Sequence, residues 1–239
     1  SQARMFFRSL EKPEQAHLAS ALVFELSKVE TEKVRVRTVS HLRNIDEGLA
    51  RRVADGLALR TLPDPAPTAT PAQDLPAAPE VRVIGRNKPL LQGRCIGILF
   101  DEGSDARVIA NLRKAAEKAG ASVKLVAPKG GGASLSVGKV QAADGQLAGT
   151  PSVVFDAVAV VLSADAGKAL AKEAAAVGFV SDAWAHLKAI ASDEGAQALL
   201  KAARVGNDAG TVEAEDSKAF LAAAATRQWA REPKLRLLA

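Results

Sequence analysis

The segment KAIASDEGAQALL, residues 188–200, passes from a short apolar run into a helical pattern through Ser192, Asp193, Glu194 and Gly195. A strand that turns sharply into a helix exposes its corner residue, and in many α/β proteins that residue is a nucleophile. A serine there reacts only when a base lies beside it. His186, the nearest histidine in the sequence, precedes the strand and is expected at its other end, and the G-x-S-x-G form is absent. The residue types instead suit a helix start, with Ser192 as the cap and Asp193 and Glu194 complementing the positive helix end.

The other candidate loops have equally plain readings. Asp101, Glu102 and Asp105 in FDEGSDAR would repel a phosphate, and the loop lacks glycines whose N–H groups could converge on an anion. They read as the acidic start of a helix capped by Ser104. KGGGAS, residues 129–134, leads into a hairpin and reads as a mobile connection. Cys95 heads an apolar run and reads as a small buried hydrophobe, since a reactive thiolate needs a nearby cation, a helix N-terminus or exposure. Trp184 and Leu187 read as core. One cysteine and three widely spaced histidines, His17, His41 and His186, support neither a disulfide nor a metal site.

Stepping outward, 239 residues at 48% apolar content can bury a substantial core. No run approaches the roughly 20 apolar residues that span a bilayer, and SQARMFFRSLEKPEQ lacks the order of a signal peptide. No membrane association and a cytoplasmic location are therefore expected. The net charge is +5, but the 32 basic and 27 acidic side chains are interspersed, and aromatics are only 4% with no tyrosine. Neither a basic block nor a stacking platform exists, so no nucleic-acid partner is expected.

Six of the eleven prolines fall between Pro63 and Pro79, which marks residues 61–80 as an extended Pro/Ala-rich linker. Residues 1–60 read as three helices. Pro13 starts the first, with Leu18, Leu22, Leu26 and Val29 at helical spacing. The second begins near Thr31, where VRVRTV is a competing strand signal, and the third carries Leu49, Val53 and Leu57. Residues 81–239 alternate strand and helix patterns: strands at 95–100, 121–128, 157–163 and 189–192, helices at 104–120 and about 166–177, and one around SDAWAHLK. A hairpin is expected about Asp144 and Gly145. This predicts an α/β fold, a flavodoxin-like doubly wound parallel sheet with an inserted hairpin, preceded by a small all-helical segment and the Pro-rich linker.

ALVFELSKVE, VSHLRNID and LARRVADGL closely resemble the helical tail of the catalytic core of large-subunit haem catalases. DAVAVVLS, FVSDAWAHLKAI and SDEGAQALLKAA resemble the extra C-terminal domain of the same enzymes, so the resemblance runs in order over essentially the whole chain. It implies a parent enzyme that decomposes hydrogen peroxide at a haem held by a tyrosinate, inside a β-barrel preceding these helices. This chain has no tyrosine and no room for that barrel. The expectation is a C-terminal fragment without its own cofactor, inactive alone, whose partners are the core barrel and sister subunits of a homotetramer. There it would stabilise the tetramer and shape access to the haem.

The second segment also resembles class I glutamine-amidotransferase-like domains, whose active members carry Cys then His at the corner. Alignment on Gly195 sets Asp193 at the cysteine and Glu194 at the histidine, and the acidic partner after the first strand falls at Ala106 or Arg107. The resemblance thus implies a vestigial corner at Ser192, Asp193, Glu194 and Gly195, with no catalytic, cofactor-binding or metal residues. Two other readings stand beside this one. A holdase-like module would bind unfolded clients through the stripe of Leu18, Leu22 and Leu26, and a residual amidotransferase- or glyoxalase-like enzyme would use the corner.

Overall fold

Four helices, one more than the pattern predicts, occupy the first part of the chain: α1 (Gln2–Ser9), α2 (Lys12–Ser27), α3 (Glu32–Arg43) and α4 (Glu47–Gly56). The computed structural model describes residues 1–86 and 88–235, and residues 236–239 of the expected 81–239 domain lie outside them. Two compact units emerge, one within residues 1–88 and one over Pro89–Leu235. Pro13 lies in the first turn of α2, where a missing N–H costs nothing, and Glu11 and Glu14 form a reciprocal capping box. The VRVRTV alternation yields to helix because a strand needs a partner, and no described residue of this unit is in a strand. α3 instead buries Val39 and Leu42, three apart on one helical face. They meet Phe7, Ala19, Leu49, Val53 and Leu57 in a small core.

The Pro-rich segment is laid back over these helices. Its carbonyls find donors on α3 and just beyond it: Arg43 Nη1 donates to Pro63 O (2.9 Å), Ser40 Oγ to Asp64 O (2.6 Å) and Asn44 Nδ2 to Ala66 O (2.9 Å). Farther on, Arg4 and Arg8 pair with Asp74 at 2.6 and 2.8 Å, and Ala78 N donates to Ser9 Oγ at 2.8 Å. Val83 N then reaches Glu14 Oε1 at 2.6 Å. Proline has no N–H to donate, so the carbonyls of Pro63, Asp64 and Ala66 take side-chain donors, while the non-proline residues farther on donate their own N–H groups.

The second unit is built on β1 (Cys95–Phe100), an apolar run buried on both faces as expected of a central parallel strand. β2 (Ser122–Ala127) and β6 (Ala157–Val161) flank it in parallel, and β7 (Ile190–Ser192) and β8 (Thr211–Glu213) extend the sheet. Between them come β3 (Ala133–Ser134), β4 (Val140–Gln141) and β5 (Gly145–Gln146). The order β5-β2-β1-β6-β7-β8, with the short β5 edge set aside, is the flavodoxin-like 2-1-3-4-5. α5 (Ala106–Lys118) and α9 (Ser217–Ala224) cover Ile96, Ile98 and Phe100 on one face. α6 (Ala164–Leu170), α7 (Ala174–Ala185) and α8 (Gln197–Ala202) cover Leu99, Val126, Val158 and Ile190 on the other. Gly97 leaves room for the Phe155 ring, which a Cβ there would approach to 2.5 Å.

Several local expectations are corrected. The hairpin pairs β3 with β4, turning over residues 135–139, while Asp144 is bound to β2: its N–H donates to Leu125 O and its Oδ2 accepts from Leu125 N, both at 2.7 Å. Gly145 therefore enters the main sheet parallel to β2. The KGGGAS stretch is a close crossing, since Gly132 has φ +86° and a Cβ there would sit 1.8 Å from Gln141 O. The helix expected over 166–177 breaks after Leu170, and α7 absorbs SDAWA. Among the described residues no helix is long and apolar enough to cross a membrane.

Candidate functional site

The corner after β7 forms with ordinary backbone. Asp193 has φ −92° and ψ 176°, an extended conformation, whereas a nucleophile elbow holds its reactive residue in a strained turn. Among the described non-glycine residues, positive φ occurs only at Ala58, Leu187 and Arg204. Ser192 does not cap the helix, because it is the last residue of β7 and its carbonyl accepts from Ala214 N at 2.9 Å. Asp193 caps instead. Its carboxylate accepts from Ala196 N (3.1 Å) and from Leu162 N (2.9 Å), the residue after β6.

Asp193 is 8% exposed. Burial pushes its pKa up to about 6, against the opposing pull of the Leu162 and Ala196 N–H groups, and the charge of Glu215 pushes in the same direction as burial. Glu194 points to solvent. A Cβ at Gly195 would lie 1.9 Å from Leu162 O, and one at Gly167 would lie 2.0 Å from Gly195 O. The corner is thus pressed against the loop after β6, and Asp193 fastens the two. His186 sits just past α7 at the amino end of β7, as the sequence order predicts.

The loop after β1 follows the same logic. Asp105, not Ser104, caps α5, accepting from Arg107 N at 2.7 Å, which holds its carboxyl below the usual range. Ser104 is fully buried and donates to Val161 O at 2.7 Å, joining β1 to β6. Glu102 Oε2 accepts from Ser134 N at 3.0 Å. Cys95 is half-buried, with its backbone N–H on Asp156 Oδ2 at 2.9 Å.

Sequence reasoning missed the charged cluster at the amino end of the sheet. Arg231, its side chain fully buried, makes a bidentate pair with Asp208 at 2.7 and 2.9 Å. It also donates to Lys188 O at 2.9 Å and stacks 3.6 Å from the Trp184 ring centroid. Lys188 is 3% exposed, donates to Ser152 O at 2.7 Å, and is lowered by burial and by Arg227 to about 8. These groups are distant in sequence, and no local spacing announces them.

A haem needs an imidazole, thiolate, thioether or phenolate ligand at its iron. The three histidines are exposed on separate helices or their ends, no tyrosine exists, Cys95 lies within the sheet, and the one methionine, Met5, accepts at its Sδ from Ser9 Oγ on α1. The residues present do not fit the group, and among those described no cluster of three metal-ligating side chains occurs.

Comparison with known proteins accounts for both units. Residues 1–57 match the model of the catalase-related immune-responsive family, and residues 92–227 match that of the C-terminal domain found in long catalases. Catalase C of Rhizobium meliloti (strain 1021) is 45% identical over 99% of this chain and 35% of its own length. Catalase HPII of Pseudomonas aeruginosa is 34% identical over 89% and 30%, and Catalase-B of Dictyostelium discoideum 32% over 98% and 35%. The chain spans about a third of the length of these relatives. With its α/β unit matched almost from end to end, the chain belongs to the family of C-terminal domains found in long catalases.

Proposed function

We propose that this chain serves as the non-catalytic C-terminal part of a long catalase, stabilising the tetramer and shaping the approach to a haem held elsewhere in the parent enzyme. The observation that carries the reading is the Asp193 clasp: the corner where an active relative would keep a thiolate holds a carboxylate already bonded to two backbone N–H groups. The strap over α3 and α1 supports it too, since a segment bonded along its length restrains the helices it crosses. In this reading the partners are the peroxide-decomposing core and sister subunits, and the location is the cytoplasm. The test is peroxide turnover and haem absorbance of the chain alone, then thermal inactivation of the parent with and without residues 89–235. Blank assays and a faster inactivation on deletion are expected. Turnover by the chain alone would overturn the reading.

A second reading has one observation in its favour. Phe24 on α2 is 63% exposed, on the face away from Leu18, Leu22 and Leu26, which pack against the helical core, so the helical unit presents one apolar ring that a holdase could use. Suppression of client aggregation that disappears in Phe24→Ser would support it. The corner geometry gives no support to an amidotransferase- or glyoxalase-like activity.

A further inference from the structure

The carboxyl end of the sheet holds one group of polar side chains that the corner does not use. Between α8 and the edge strand β8 lies a cleft of about 370 Å³ that runs from Ser192 and Glu213 at the carboxyl end to Asn207 and Thr211 at the amino end of β8, lined also by Gln197, Lys201, Leu200 and Val205. Clefts of this size suit small molecules, and the carboxyl end is where parallel sheets bind them. The pleat turns Ser192 toward it: Ile190 packs on the side of α6 to α8, Ala191 on the other, and Ser192 again on the first.

Ser192 is 7% exposed, and no described residue is a hydrogen-bond partner of its hydroxyl, which lines the cleft. Lys201 and Glu213 form no ion pair there, and the Gln197 amide has no partner among the described residues. The contrast with Asp193, Asp105 and Glu102 is sharp, since each of those acids is engaged by a backbone N–H. One cation and one anion therefore line the same small volume with two hydroxyls, Ser192 and Thr211, and two amides, Gln197 and Asn207, of which Thr211 and Asn207 bond to each other.

We propose that this cleft binds a small zwitterion of the free amino-acid class. Its carboxylate pairs with Lys201, its ammonium with Glu213, and Ser192 and Gln197 orient it, while a short aliphatic stem lies on Leu200 and Val205. A ligand with a single charge leaves one of the two protein charges unpaired and binds more weakly. The wall also carries its own reporter, because Gly206 sits against the Trp184 ring, where a Cβ would be 3.2 Å from it.

The test titrates the full chain with L-valine, with isovalerate, which lacks the ammonium, and with isobutylamine, which lacks the carboxylate. Tryptophan fluorescence and calorimetry supply the readouts. Saturable L-valine binding with Kd of order 1 mM is expected, with each single-charge analogue about 10-fold weaker or more. Lys201→Met and Glu213→Gln should each weaken L-valine about 10-fold, and Ser192→Ala about 5-fold, at unchanged unfolding midpoints. Should Ser192→Ala shift the midpoint, the exposed Lys201 and Glu213 variants still decide the matter. No saturation by about 50 mM, isovalerate or isobutylamine binding as tightly as L-valine, or affinity indifferent to Glu213→Gln would each overturn the assignment.

Discussion

The two ends of the parallel sheet are closed by side chains of opposite charge. At the amino end buried cations donate: Arg231 grips Asp208, lies on Trp184 and reaches Lys188 O, while Lys188 is buried against Ser152 O. At the carboxyl end, side chain meets backbone: Asp193 holds Leu162 N and Ala196 N, Asp105 holds Arg107 N, and glycines let the loops touch. Both ends join residues far apart in sequence, Arg231 with Asp208 at the first and Asp193 with Leu162 at the second. The second rests on backbone N–H groups, so it keeps its shape with no reactive group in it.

The largest expected effect comes from breaking the amino end. Arg231→Met leaves Asp208 without its cation, with only the Gly210 N–H remaining, and the Lys188 carbonyl without its donor, and a stability loss of about 3–5 kcal/mol should appear in denaturant unfolding. A loss under about 1 kcal/mol would mean that the pair is dispensable.

Next in size are two opposite pH slopes. Because the Asp193 carboxyl is raised to about 6, the folded chain holds a proton there that the unfolded chain has released above pH about 4. Its stabilising contribution is complete below that pH and is lost as pH rises to about 6, a change of at most about 3 kcal/mol. Lys188, lowered to about 8, does the reverse: its folded form sheds a proton that the unfolded chain keeps, so stability rises from pH about 8 towards the ordinary lysine value. Asp193→Asn should flatten the acid slope alone and Lys188→Met the alkaline slope alone. If either variant leaves its slope intact, the assignment of that slope fails.

Removing the carboxyl-end clasp altogether is a smaller blow. Asp193→Ala orphans the buried Leu162 N–H, while Ala196 N keeps the Asp193 backbone carbonyl at 3.2 Å, at a cost of about 2 kcal/mol, whereas Asp193→Asn keeps an acceptor and should lie within about 1 kcal/mol of the parent at pH 7. Glu14→Ala, outside the sheet, loses the α2 capping box and the strap bond to Val83. About 1 kcal/mol is expected from the helical unit, with both pH slopes unchanged.

How far each part was legible follows from the range of its interactions. β1 could be read to the residue, since a run buried on both faces is apolar at every position. The start of α2 was legible in Pro13. The caps were harder: Ser104 and Ser192 each stand beside an aspartate, and which one caps depends on where the preceding strand stops bonding. Ser104 goes to Val161 O and Ser192 ends β7, so the aspartates take the caps. The hairpin was misplaced because Asp144 and Gly145 form a good local turn signal, which the bonds from Leu125 to Asp144 override. β8, only three residues long, carries too little pattern to declare itself.

By itself the sequence determined the fold class, the position of the corner and the family, because apolar periodicity, strand-to-helix order and long matched stretches are properties of the chain read in one direction. Only the tertiary structure decided what each polar group does. It set Asp193 on Leu162 N, brought Arg231 to Asp208, and left Ser192, Lys201 and Glu213 facing one cleft. A hydrogen bond extends about 3 Å in space but has no fixed reach along the chain.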